Sequence, residues 1–188
     1  MKKFSKLNNN TTSYTKEESL YKDDFIEITQ KDGWSIVNSK DCVFCIPYFI
    51  ETNQFIIRQE YIPSFKIADG QDYHLYAVGG GIEKGETPEI SLIRELEEEA
   101  GIVLRENFSV DLDKPLFMSK NGTSKVYTCI IPLTENDYHE VVIKGDGSKI
   151  EKMAQTIKMD VKYINTLNTS DILTEYLLMK LKVYLNIS

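Results

Sequence analysis

Strands before and after one acidic helix, with a second helix at the C-terminus, predict an α/β fold preceded by an N-terminal β-hairpin. The strands are read from short apolar or alternating runs bounded by turn residues. The acidic helix is read from start and stop signals that bracket residues 88–100. The C-terminal helix is read from a leucine stripe. At 188 residues, 41% hydrophobic and 27% charged, the chain suffices for one buried core.

Residues 1–23 are polar, with Asn8, Asn9, Asn10, Thr11 and Thr12 and no apolar period, and predict a flexible tail ahead of a single domain over 24–188. Residues 25–29 and 34–38 alternate across Lys31, Asp32 and Gly33, a hairpin pattern. A second pair, 42–50 and 54–59, flanks Thr52 and Asn53, and its first member reads as a buried strand. Residues 74–78 form a strand that runs into Gly79, Gly80 and Gly81. After the acidic helix, Asn121 and Gly122 join strands at 116–119 and 124–133, and 140–144 forms a further strand before the polar loop 145–148. Leu173, Leu177, Leu181 and Leu185, with Tyr176 and Tyr184, make the helical face of the C-terminal segment, capped by Thr169 or Ser170 and packed in the core.

The acidic helix opens with a hydroxyl N-cap, Thr87, followed by Pro88 at the first helical position, and Gly101 closes it. Ile90, Ile93, Leu96 and Ala100 form the expected buried stripe, while Glu95, Glu98 and Glu99, related by i, i+3 and i+4, crowd one edge. Like charges this close resist full ionisation unless a cation lies among them. Carboxylate oxygens suit a hard divalent ion, Mg2+ or Mn2+. A glutamate run by itself is more often a solvated helix face. The surroundings point the other way here: Gly79, Gly80 and Gly81 allow the backbone to approach a ligand where a Cβ would obstruct, and Arg94, one turn before Glu98, is placed to orient a ligand carboxylate. The lysine and Ser/Thr of a nucleotide-binding P-loop are missing.

A net charge of −7 argues against a broad duplex nucleic-acid surface, which draws on clustered lysine and arginine. No apolar run approaches 18 residues and no signal-peptide pattern is present, so a cytoplasmic protein without membrane association is expected. Cys42, Cys45 and Cys129 make no disulfide framework. Cys42 and Cys45 form a CxxC, but residues three apart on a strand face opposite sides, which disfavours zinc or redox use.

From Gly80 to Ile102 the chain satisfies all nine fixed positions of GX5EX7REUXEEXGU, U being a bulky aliphatic residue. A chance match is about one in 10^9 per starting point at average residue usage. The segment resembles the Nudix box, and the chain is thereby similar to Nudix hydrolases, which cleave nucleoside diphosphates linked to another moiety. The resemblance implies the Nudix α/β/α sandwich with a mixed β-sheet and the N-terminal β-hairpin as an extension. It implies Glu95, Glu98 and Glu99 as ligands of Mg2+ or Mn2+, Glu86 as a ligand through water, and Arg94 as a supporting residue. It also implies attack by water on a pyrophosphate phosphorus, without a covalent intermediate, on a small nucleotide substrate.

Residues 33–34, 41–43 and 57–63 resemble the region before the box in ADP-ribose and related nucleoside-diphosphate-sugar pyrophosphatases, so that the similarity spans roughly 24–181. Pro115, fourteen residues after Gly101, resembles a proline that marks the ADP-ribose group. Two departures stand out. Glu60 and Tyr61 follow Arg58 and Gln59, so the second arginine of an RQYR motif is missing, and residues 76–80 read YAVGG where an ELPAG-like run is usual. ADP-ribose, split to AMP and ribose 5-phosphate, is therefore the favoured substrate, with NADH, a dinucleoside polyphosphate, a sugar nucleotide or an RNA cap as alternatives. A non-catalytic nucleotide sensor would show eroded metal glutamates and an added DNA-binding segment. The resemblance further implies a homodimer, and offers Glu151, in a Gly-rich loop, as the base that positions or deprotonates water; the alternative is an exposed loop acid. Arg58 either forks a substrate phosphate or pairs with a surface acid. Trp34 either stacks on adenine, as an aromatic from this region does in dimeric members, or packs within its hairpin.

Overall fold

A computed structural model describes residues 17–143 and 153–187 of the chain. Its centre is the strand β4 (Cys42–Phe49), apolar on both faces because both are covered. Val43, Cys45 and Phe49 enter one core, Phe44, Ile46 and Tyr48 the other. The C-terminal helix α3 (Ile172–Tyr184) lies over the second face through Leu173, Leu177, Leu178 and Leu181. The acidic helix α2 (Pro88–Ala100) lies over the first through Leu92 and Leu96. These layers form the α/β/α sandwich. Cys42 and Cys45 sit against opposite cores, and the three thiols are free.

The sheet is mixed. Strand β10 (Lys125–Leu133) runs parallel to β4, while β5 (Gln54–Glu60), β12 (Gln155–Asp160) and the short β9 (Leu116–Phe117) complete the order β12, β5, β4, β10, β9. β4 and β5 pair only at Tyr48 with Phe55 and Phe49 with Gln54, and then separate. Into the opening come β6 (His74–Tyr76), on the Arg58 end of β5, and β7 (Val78–Gly81), on the Cys42 end of β4. This split delivers the glycine strand to the edge of α2. A small second sheet pairs β8 (Ile102–Leu104), directly after α2, with β11 (Tyr138–Glu140).

The N-terminal hairpin, β2 (Ile26–Lys31) and β3 (Trp34–Ser39), forms across Asp32 and Gly33, both with positive φ. It carries a third strand, β1 (Glu18–Lys22), which corrects the tail expected up to residue 23. All five β1 residues are exposed, so the strand rests on its ladder with β2 and leaves no apolar alternation to read. The expected tail over 1–16 lies outside the described residues, as does the loop 145–148. The strand placed at 140–144 does not form over residues 141–143. The strand found there is instead β11, which ends at Glu140. The helix α1 (Pro63–Asp69) was not anticipated, because none of its residues is buried; Pro63 starts it and Gly70, at φ 81°, stops it. At α3 the cap is Asp171, whose carboxylate accepts the Thr174 N–H at 2.6 Å, and Thr169 instead donates to the Leu75 carbonyl at 3.1 Å. Tyr176 and Tyr184 flank the leucine stripe at the surface and lie outside the core expected for them.

Candidate active site

Helix α2 forms as its local signals dictate. The Thr87 hydroxyl oxygen accepts the Ile90 N–H at 3.3 Å, Pro88 occupies the first turn, and Gly101 turns the chain at φ 64°. Its buried face differs from the expected stripe. Leu92, Leu96 and Ala100 are buried together with Ser91, Glu95 and Glu99, whereas Ile90 and Ile93 are 54% and 41% exposed. The helix is thus rotated by about one residue step, roughly 100°, from the arrangement that apolarity alone favours. The rotation turns two carboxylates inward, against β7.

There the backbone receives them. The Gly79 N–H donates to Glu99 Oε2 at 2.8 Å. A Cβ on Gly80 would stand 2.5 Å from Glu95 Oε1, so only glycine leaves that carboxylate its place. Arg94 ties the outer acids together. Its Nε and Nη2 donate to the two oxygens of Glu86 at 3.0 and 3.1 Å, its Nη1 to Glu95 Oε1 at 2.8 Å and to Glu98 Oε2 at 3.0 Å, and its Nη2 also to the Gly81 carbonyl at 3.1 Å. Beneath them lies Arg58, only 3% exposed, which donates to the Glu99 carbonyl at 3.0 Å, contacts Glu99 Oε1 at 3.3 Å and pairs with Glu60. Its neighbours are therefore the buried Glu99, the half-buried Glu60 and a helix carbonyl, and not an acid of the open surface.

The electrostatics follow this layout. Hydrogen bonds from Arg94 hold the Glu86 carboxyl down at about 2. Burial pushes Glu99 up to about 9 against the opposing pull of Arg58, and burial likewise raises Glu95 against Arg94. Two desolvated carboxyl groups facing a glycine strand, with Glu98 at the rim, are a donor set that suits a hard divalent cation. Among the described residues no three acidic, imidazole or thiol groups already converge on one point. Arg94 holds Glu95 and Glu98 by shared hydrogen bonds in this arrangement.

These residues line a groove of about 470 Å³. It gathers Arg58, Gly80, Gly81, Arg94, Glu95, Glu98 and Glu99 from the sequence-predicted set, with Glu86 joined through Arg94. Trp34 is not among its lining residues. It stands 56% exposed at the start of β3, which corrects the packing expected within the hairpin. Glu151 lies outside the described residues. The groove also contains Phe25, Lys40, Glu60 and Glu83, none singled out by sequence. Glu60 was noted only as a departure from RQYR, and the others carry no local motif.

Comparison with known proteins agrees with this geometry. The NUDIX domain family model matches residues 43–149, more than half of the chain. No curated protein sequence matches. Among solved structures 281 chains match. One is the crystal structure of an ADP compounds hydrolase, with a TM-score of 0.65 and 15% identity, covering 93% of this chain and 94% of that one. At that identity the likeness speaks for the fold. The glycine strand, the acidic helix and the family match together establish that the chain belongs to the Nudix family, as a hydrolase.

Proposed function

We propose that the protein is a Mg2+- or Mn2+-dependent pyrophosphatase acting on a nucleoside diphosphate derivative, with ADP-ribose hydrolysed to AMP and ribose 5-phosphate. The observation that carries this reading is the inward turn of Glu95 and Glu99 against the β7 glycines, at the cost of exposing Ile90 and Ile93. Apolar burial alone does not favour that rotation, and a cation site explains it. Glu95, Glu98 and Glu99 would hold the ion, which supplies charge neutralisation of the diphosphate and a more acidic bound water. Arg94 keeps Glu86, Glu95 and Glu98 in register, and the Gly79 N–H aims Glu99. Glu151, assigned by resemblance, positions or deprotonates the water that attacks phosphorus.

The ADP-ribose assignment rests on the resemblance of residues 57–63 and of the N-terminal hairpin to that subgroup, and the solved neighbour named for ADP compounds is consistent with it. Trp34 on the same hairpin presents an exposed indole suited to stacking on a base, in its own copy or in the partner of a homodimer. The absence of the second arginine of RQYR, with Glu60 facing the groove, keeps NADH, dinucleoside polyphosphates, sugar nucleotides and capped RNA as alternative substrates. A cytoplasmic setting is part of this reading and accords with three free thiols. Among the described residues no helix is long and apolar enough to cross a membrane.

The test is a nucleotide panel with Mg2+ or Mn2+ and product identification. AMP plus ribose 5-phosphate from ADP-ribose as the best substrate is the expected outcome, and a preference for NADH or diadenosine compounds overturns the substrate. Glu98→Gln and Glu99→Gln proteins that remain folded are expected to lose at least about 100-fold in kcat. Near-normal turnover in both would remove the metal site.

A further inference from the structure

The last turn of a helix leaves carbonyls without intrahelical partners, and in α2 that turn carries the acids of the site. The Gly101 N–H takes the Leu96 and Glu97 carbonyls. The Glu99 carbonyl faces the sheet and receives two donors: Arg58 Nη1 at 3.0 Å and the Thr156 hydroxyl at 2.5 Å. Arg58 and Thr156 are register partners on β5 and β12, so a single rung of the sheet supplies both. The cation also complements the negative end of the helix dipole. Glu99 is thereby held at three points, by its carbonyl on the rung, by Oε1 against Arg58 and by Oε2 on the Gly79 N–H.

Resting on the metal-site reading above, we propose that Thr156 is a positioning residue for cation binding. Its hydroxyl fixes the Glu99 carbonyl and so sets the angle at which α2 presents Glu95 and Glu99 to a divalent ion. Arg58 shares the task but also touches the Glu99 carboxylate, so its replacement mixes two effects. The hydrogen bond from Thr156 to the helix ends on a backbone oxygen. A change there acts on the carboxylates through the placement of the helix. Residues that orient metal ligands in this way typically contribute 10- to 100-fold to affinity or activity.

The experiment measures Mn2+ binding to the full chain by the loss of the free-ion EPR signal, with thermal melting alongside. Thr156→Val removes the donor and keeps the β-branched shape; Thr156→Ser keeps the donor; Thr156→Ala serves as a second donor deletion. The Val and Ala proteins are expected to bind Mn2+ about tenfold or more weakly, and Ser to bind as the wild type does. At saturating metal the nucleotide KM is expected to be unchanged. A Val protein, or an Ala protein where Val is misfolded, that melts lower yet binds Mn2+ like the wild type gives Thr156 a purely structural role and overturns the proposal. A wild type that binds no Mn2+ overturns the metal-site reading itself, and the two failures are distinct.

Discussion

Glu99 is an acid that the fold holds against its ionised form. Burial raises it from 4.5 to about 9, while the unfolded chain releases the proton near 4.5. Between those values the native state binds the extra proton, so the metal-free protein loses stability as pH rises through that window and has this contribution in full only below 4.5. Glu95, raised by burial too, acts in the same direction. Glu86, held at about 2, stays ionised throughout. A divalent ion reverses the preference by favouring the carboxylates, and its binding releases protons. Melting temperatures in EDTA are therefore expected to fall from pH 6 to pH 8.5, and Mg2+ is expected to raise them more at pH 8.5 than at pH 6. Equal Mg2+ stabilisation at both values would separate these two glutamates from the ion.

At the scale of elements, β7 divides its glycines between structure and site. Gly79 sits at φ 148°, and a Cβ there would fall 2.0 Å from the Val43 carbonyl oxygen on the neighbouring strand. Gly80 faces the Glu95 carboxylate, a flexible side chain. Gly79→Ala is expected to give a protein that fails to fold or melts far lower, and Gly80→Ala a folded protein with most of its activity lost; circular dichroism and turnover on the same samples check both. Gly80→Ala at full activity would detach Glu95 from catalysis. The contrast also marks what was legible. The strand, glycine run and acidic helix are encoded by neighbouring residues, so their order and the cap at Thr87 could be read from the chain. The helical face could not, because apolar periodicity assigns Glu95 and Glu99 to solvent and only the β7 backbone, across the sheet, brings them in. Strand β1 escaped for a related reason: it takes its stability from the ladder with β2 and shows no apolar alternation. The place of Arg58 beneath α2 was likewise not legible, because it depends on the opening of the β4–β5 pair.

For the whole molecule, the sheet separates two cores with different duties. Leu96 of α2 and Leu177 of α3 are both fully buried, one in the core beneath the acidic helix and the other in the core across the sheet. Replacing either by alanine removes the same atoms and is expected to cost about 2–5 kcal/mol of stability. Their effects on turnover are expected to diverge. Leu96 lies between Glu95 and Glu97, one residue from a candidate ligand, so a cavity there lets the acidic turn shift by the fraction of an ångström to which positioned carboxylates are sensitive. Leu177 has the sheet between itself and the groove, and rigid β4 shields the site from a cavity on the far side. At a temperature where both variants remain folded, Leu96→Ala is expected to lower kcat about tenfold or more and Leu177→Ala to leave it within about twofold. Urea melts fix the stability loss and initial rates fix the turnover. An equal fall in kcat for both would mean that the cores move as one body, and that the site depends on global stability and not on the seating of α2.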